Sequence, residues 1–233
     1  MRVYEGVGKP TPFLFLSNPW DVSSMILDVT GVLLAGGKSR RMGEDKRYLH
    51  VGAQTLLERS LAILQSVFQS VLVVIAQDSP DLDIPAPVTR DLVTHGGSLG
   101  GLYTGLKQAS TSHVFAVACD MPFLNPRVIQ YFTDLQGSSD IVMPELHNRL
   151  HPLHALYSRR CLPIIEEMLT AGELKIQKLI AHPSLCTRIL TAQDLRQIDP
   201  DERSFLNINT PEDLETARLL IECDTDPHSP DRS

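Results

Sequence analysis

The hydrophobic pattern switches between two periods along most of the chain. Val29 to Leu34 is a short apolar run followed by a glycine-rich loop. Leu56, Leu57, Leu61, Leu64, Val67 and Phe68 then recur at helical spacing, which predicts an amphipathic helix. Val71-Leu72-Val73-Val74-Ile75 is continuously apolar, as a strand covered on both faces of a sheet must be. A proline-rich turn (Pro80, Pro85, Pro87) separates it from Gly96-Gly97-Ser98-Leu99-Gly100-Gly101, which leads into a predicted helix through Ala109. Val114-Phe115-Ala116-Val117-Ala118 is a third buried strand, with Asp120 just past its end. Strands alternating with helices predict βαβ units, and hence a three-layer α/β fold with a mostly parallel central sheet. Ligands of such sheets bind at the carboxyl ends of the strands. The glycine loop and Asp120 both fall there.

Residues 1–24 are rich in Gly, Pro and Ser and follow neither period, so a loose extension is expected, with Met25 an alternative start. Polar residues 223–233 are expected to form a disordered tail, which leaves 25–222 as one domain without internal repeats. The chain has 233 residues, of which 42% are hydrophobic and 21% charged, enough for one full core. Its formal net charge of -7 repels nucleic acid, so that partner is not expected and any anion site must be built locally. No run approaches the ~20 apolar residues of a membrane helix, so no membrane partner is expected. Phe13-Leu14-Phe15-Leu16, bracketed by Pro12 and Pro19, is too short for the apolar core of a signal peptide. Cys119, Cys161, Cys186 and Cys223 form no Cys-x-x-Cys pair and read as free thiols, which points to a cytoplasmic location.

The sharpest chemistry lies in Leu34-Ala35-Gly36-Gly37-Lys38-Ser39-Arg40-Arg41-Met42-Gly43-Glu44-Asp45-Lys46. Consecutive glycines let the backbone turn tightly and bring its N–H groups near a ligand, where they converge on anionic oxygens. Lys38, Arg40, Arg41 and Lys46 add positive charge in an otherwise negative chain, which suits a di- or triphosphate. A glycine turn with a solvated basic face is the bland alternative. The buried strand before the loop and the distant acid Asp120 favour the phosphate. The segment matches neither the Walker loop nor the dinucleotide fingerprint.

These residues, through Asp45-Lys46, resemble the signature of nucleotidyltransferases that make nucleoside-diphosphate conjugates, and most of all the bacterial molybdenum cofactor guanylyltransferases. Cys119-Asp120-Met121-Pro122-Phe123-Leu124 resembles that family's metal-binding strand end, and His151-Pro152-Leu153-His154-Ala155-Leu156 one of its later strands. Phe205-Leu206-Asn207-Ile208-Asn209-Thr210-Pro211-Glu212-Asp213-Leu214 resembles its carboxy-terminal motif. The likeness runs in order from about Val29 to Ala217. It implies a single Rossmann-like nucleotidyltransferase domain that binds GTP and Mg²⁺. The implied reaction transfers GMP to the terminal phosphate of molybdopterin, giving molybdopterin guanine dinucleotide and pyrophosphate. Carried over residue by residue, GTP would meet Leu34, Ala35, Gly36, Gly37, Lys46, Asp91, Gly97, Leu99, Gly100, Gly101 and Asp120. Arg41, Lys46 and Asp120 would be catalytic, Asp120 would hold Mg²⁺, and Asn207 and Asn209 would lie near the acceptor. Transient contact with other cofactor-assembly proteins or recipient enzymes fits the same resemblance. Ser98 stands where the family commonly has proline, and Ile75 where some members carry a base-contacting asparagine. Two rivals therefore remain: a CTP-dependent sister enzyme, and a non-catalytic GTP-binding module.

Several of these residues have structural readings too. Asp120 before Met121-Pro122 can cap a turn. Thr210, Pro211 and Asp213 suit the cap, first position and first turn of a helix. His147, His151 and His154 suggest a metal cluster, but Pro152 disfavours the helix that would align them. On a strand, His147 and His151 would share one face and His154 the other. Glu166, Glu167 and Glu173 read as a solvated helix face, and Arg159 and Arg160 as surface charge.

Overall fold

A computed structural model describes residues 25–36 and 45–225. β1 (Ile26–Leu34) leads into a short antiparallel hairpin of β2 (His50–Val51) and β3 (Gln54–Thr55). α1 (Leu56–Val67) follows, opened by a capping box in which Glu58 N–H donates to Thr55 Oγ1 (3.2 Å) and Thr55 N–H to Glu58 Oε2 (2.8 Å). β4 (Phe68–Ile75) and the short β5 (Val88–Arg90) precede α2 (Gly97–Gln108). β6 (His113–Ala118), α3 (Pro126–Asp134), β7 (Ile141–Leu146), β8 (Arg149–Leu150) and β9 (His154–Ser158) come next. α4 (Leu162–Thr170), β10 (Thr187–Thr191), α5 (Ala192–Leu195) and α6 (Pro211–Thr225) complete the chain order.

The strands form one sheet in the order β10-β7-β9-β6-β1-β4-β5, with β8 paired to β7. Pairs β6–β1, β1–β4, β4–β5 and β7–β10 are parallel, and β9 runs antiparallel to both its neighbours. The mostly parallel α/β architecture expected from the alternating pattern is therefore present. Strand side chains alternate between two cores. Leu33, Val73, Ile75, Phe115 and Val117 enter one with α1 and α3, while Val32, Val74, Val114 and Ala116 enter the other with α2 and α4. This explains the unbroken apolar runs, because both faces of every central strand are covered. Packing on the second face is close: a methyl group on Gly105 of α2 would sit 2.7 Å from Val32 Cγ1. A third, smaller cluster joins Val51 and Leu56 to Ile208, Leu214 and Ala217, and so fastens α6 to the β2–β3 hairpin.

Three local expectations change. Phe68 is not on the last helical turn but opens β4, where its ring packs 6.0 Å from that of Phe115. The proline-rich stretch ends in an edge strand, β5, a place where neighbouring prolines are tolerated. α6 runs to Thr225, so residues 223–225 are helical rather than part of a tail; no proline interrupts the helix before Pro227. Residues 1–24 and 226–233, expected to be loose, lie outside the described residues.

Candidate active site

The carboxyl ends of β6, β1, β4 and β5 open into one cleft of about 590 Å³. Leu34, Ala35 and Gly36 leave β1 there, and Ala35 N–H donates to Val74 O at 2.9 Å. A methyl group on Gly36 would lie 3.1 Å from Ala76 N, so this strand-to-loop step passes tightly against β4's exit. Gly37 and Arg41, assigned from the sequence, lie outside the described residues.

The chain re-enters the site at Asp45, whose carboxylate accepts from Arg47 N–H at 3.1 Å and so caps a single 3-10 turn over Lys46–Tyr48. The Arg47 guanidinium closes on the same carboxylate through Nε (3.0 Å) and Nη2 (2.5 Å) and holds its pKa below the usual range. This buried fork aims Lys46 into the cleft. Lys46 Nζ lies 3.5 Å from Asp120 Oδ2 and donates to Asn209 Oδ1 at 3.0 Å. Asp45 and Arg47 were missed as positioning groups, because a two-residue charge alternation looks like any solvated pair.

Asp120 follows β6, and its backbone carbonyl accepts from Ile208 N–H at 2.9 Å. That bond draws the 207–209 segment to the cleft. Burial raises the Asp120 pKa and nearby Lys46 counters it. Its second oxygen, Oδ1, is buried and accepts no hydrogen bond among the described residues. An orphaned, desolvated carboxylate oxygen is costly, and a hard divalent cation is the partner it fits. Cys119, beside it, is inert at neutral pH: burial pushes its thiol up to about 12.

Asn209 is brought to Lys46, whereas Asn207 Oδ1 is buried and has no partner among the described residues. The capping reading of this motif holds as well. Asp213 N–H donates to Thr210 Oγ1 at 3.2 Å, and Asp213 Oδ2 accepts from the N–H groups of Asn209 (2.8 Å) and Thr210 (2.9 Å). One carboxylate thereby both starts α6 and fixes the backbone of Asn209.

The opposite wall comes from β4, β5 and the start of α2. Asp91 lines the cleft, but its Oδ1 accepts from Thr104 Oγ1 (2.9 Å) and Val93 N–H (3.0 Å), which moors the 92–97 loop. Gly97 and Gly101 line the cleft. Leu99 is instead fully buried in the core, and Gly100 provides close approach, since a methyl group there would meet Asp91 Oδ2 at 3.0 Å. Gln77 and Arg90, absent from the sequence-based site, organise this wall.

The histidines do not gather. His147 and Asn148 adopt left-handed conformations (φ 51° and 59°) in the turn between β7 and β8, so His147 shares no strand face with His151. His147 Nε2 meets Glu202 Oε2 at 2.8 Å, His151 packs on Phe205, and His154 is fully buried among Phe115, Phe132 and Phe205. Among the described residues no group of three or more His, Cys, Asp or Glu is placed to hold a metal ion. Arg159 and Arg160 are exposed at the other end of the sheet.

A mostly parallel sheet whose strand ends present a glycine step, a lysine and a half-buried aspartate defines a nucleotidyltransferase domain. The MobA-like NTP transferase domain matches residues 31–188, and the chain belongs to that family. It is 37% identical over 195 residues to the molybdenum cofactor guanylyltransferase of Desulfosudis oleivorans, covering 83% of this chain and 96% of that protein. It is also 37% identical over 193 residues to the molybdenum cofactor guanylyltransferase of Syntrophotalea carbinolica, covering 81% and 90% respectively. In structure it is similar to molybdopterin-guanine dinucleotide biosynthesis protein A from Archaeoglobus fulgidus. The TM-score is 0.71 and the identity 26%, with 83% of this chain and 99% of the other covered. Among the described residues, no helix is long and apolar enough to cross a membrane.

Proposed function

We propose that this protein transfers GMP from GTP to the terminal phosphate of molybdopterin, forming molybdopterin guanine dinucleotide and releasing pyrophosphate. The observation that carries the reading is the convergence of Lys46, Asp120 and Asn209 from three distant parts of the chain, with Asp120 Oδ1 left unsatisfied among the described residues. The relatives' names supply the acceptor and the base.

In this reaction an acceptor phosphate oxygen attacks the α-phosphorus and pyrophosphate leaves. Both reactants are anions, so the protein's task is to hold them in line and offset their charge. Lys46 supplies a fixed positive charge at the junction. Its position is set from behind by the Asp45–Arg47 fork and from the side by Asn209. Asp120 is the residue that would hold Mg²⁺. When bound there, the ion supplies neutralisation of the phosphate oxygens. The glycine step at Gly36 lets the backbone come close to the nucleotide, and Arg41, with its guanidinium, is assigned to the leaving pyrophosphate. Asn207 and Asn209 are assigned to the acceptor side.

The test is pyrophosphate release with Mg²⁺ and each of the four nucleoside triphosphates, with and without molybdopterin. Release with GTP, dependent on acceptor, is expected. Preference for CTP would assign the chain to the sister chemistry. Silence with every triphosphate, in folded protein with competent acceptor, would make it a binding module.

A further inference from the structure

The cleft has two ends. Lys46 and Asp120 mark one, and Ala76, Gln77, Thr94 and His95 line the other. The exits of β6 and β4 are two strand spacings apart, about 10 Å, which is the reach of a ribose and its base. If the α-phosphate sits at Asp120, the base lies against the turn that follows β4.

In that turn the Gln77 side chain is held internally, and Asp78 lines the cleft beside it. Both ends of the Gln77 carboxamide are used internally: Nε2 donates to Asp91 O at 3.0 Å and Oε1 accepts from Thr94 Oγ1 at 2.9 Å. The turn closes with Ser79 N–H donating to Ala76 O at 3.1 Å. Its outward face is gathered by one guanidinium. Arg90 Nη1 donates to the carbonyl oxygens of Ser79 (2.7 Å), Gln77 (2.9 Å) and Ala76 (3.4 Å), while Nη2 meets Asp81 Oδ1 at 2.6 Å. Arg90 does not line the cleft.

A trans peptide points its C=O and the following N–H in opposite directions. Carbonyls of Ala76 and Gln77 turned toward Arg90 therefore turn the N–H groups of Gln77 and Asp78 away from it, and these two residues line the cleft while Arg90 does not. N–H donors suit guanine, which presents O6 and N7 as acceptors. They do not suit the exocyclic amino donors of adenine and cytosine. We propose that Arg90 is a positioning residue for base selection, holding the 76–79 turn so that its peptide N–H groups select a guanine edge. The same strand end performs both jobs: Arg90 orients the 76–79 turn and its neighbour Asp91 moors the facing 92–97 loop.

The inference rests on the proposed use of GTP, and its test separates the two. Affinities for GTP, ATP, CTP and inorganic tripolyphosphate, each with Mg²⁺, are measured on the full chain and on Arg90→Ala, Arg90→Lys and Asp81→Asn. In Arg90→Ala, GTP affinity is expected to fall about tenfold, the worth of one or two hydrogen bonds. ATP, CTP and tripolyphosphate are expected to change by less than about twofold, so base discrimination collapses while phosphate binding stays. Asp81→Asn is expected to change nothing, because Asp81 is almost wholly exposed. An equal loss for GTP and tripolyphosphate, or an unchanged GTP-to-ATP ratio, overturns the proposal. Should Arg90→Ala fail to fold, Arg90→Lys is judged by the same ratios. A wild-type chain that prefers another triphosphate overturns the proposed function; Arg90's positioning role then survives only if that triphosphate loses affinity relative to tripolyphosphate.

Discussion

Asn209 Oδ1 accepts a hydrogen bond from Lys46 Nζ at 3.0 Å, joining residues 163 positions apart. The segment before α6 is therefore tied directly to a lysine that lines the cleft. Lys46→Met should lower turnover by about 100-fold or more, the typical cost of removing a preorganised charge. Asn209→Ala keeps that charge but loosens it, so a loss nearer tenfold is expected, with a raised KM for acceptor. Steady-state kinetics on both variants check the order. Equal losses would mean that Asn209 does more than orient Lys46.

Asp120 sets function against stability. Its carboxylate has a raised pKa because burial disfavours its charge, so ionised Asp120 costs folding free energy that a bound cation offsets. Without metal, Asp120→Asn should melt at or above wild type at pH 7 and show no turnover. Added Mg²⁺ should raise the wild-type melting temperature and leave the variant's unchanged. A calorimetric scan of both proteins with and without the ion decides this.

His154 gives an acid-side signature. Its ring is enclosed by aromatic side chains, and burial lowers its pKa to about 3. The unfolded chain protonates near pH 6.5. The neutral ring thus contributes stability that is complete above about 6.5 and is lost as pH falls toward the folded value. The expected slope is about 1.4 kcal/mol per pH unit in that window. His154→Leu should remove this part of the slope. Denaturant unfolding of both chains at pH 7, 6 and 5 would show it, and parallel curves would contradict it.

Helix α2 lies against β1 without room for a methyl group at Gly105, where Val32 Cγ1 is 2.7 Å from the added atom. Gly105→Ala should destabilise by about 1–3 kcal/mol through overpacking, despite the better helix propensity of alanine. Because Gly105 does not line the cleft, turnover at a temperature where the variant is folded should match wild type. Unfolding midpoint and kinetics read the two effects separately.

The sheet and the place of Asp120 at a strand end were legible in the sequence because each depends on local pattern. The apolar runs of β1, β4 and β6 are long and covered on both faces, and Asp120 stands directly at a strand end. The likeness of the Leu34–Lys46 segment to known nucleotidyltransferases supplied the chemistry. What escaped was set by distance or by competition. β5 has three residues and lies among prolines, too little for any periodicity to show. Phe68 fits the helical stripe as well as a strand, and packing against Phe115 decides the matter. Leu99 shares a motif with cleft-lining glycines yet turns into the core, since successive helical residues point different ways. The Arg90 clamp joins a strand to a turn at least eleven residues earlier, and nothing in the local composition marks it.

The reversed strand β9 divides the sheet into two territories. On one side β5, β4, β1 and β6 run the same way, and the described cleft-lining residues of that part of the chain all come before position 121. On the other, β9, β7 and β10 belong to later sequence, and among the described residues only Leu153 at the mouth of β9 lines the cleft from that side. The described floor of the cleft is thus written in the earlier stretch of the chain, and Asn209 is a late residue that reaches back to its lysine. On the proposed function, variation after Asp120 is expected to leave the floor under the triphosphate unchanged.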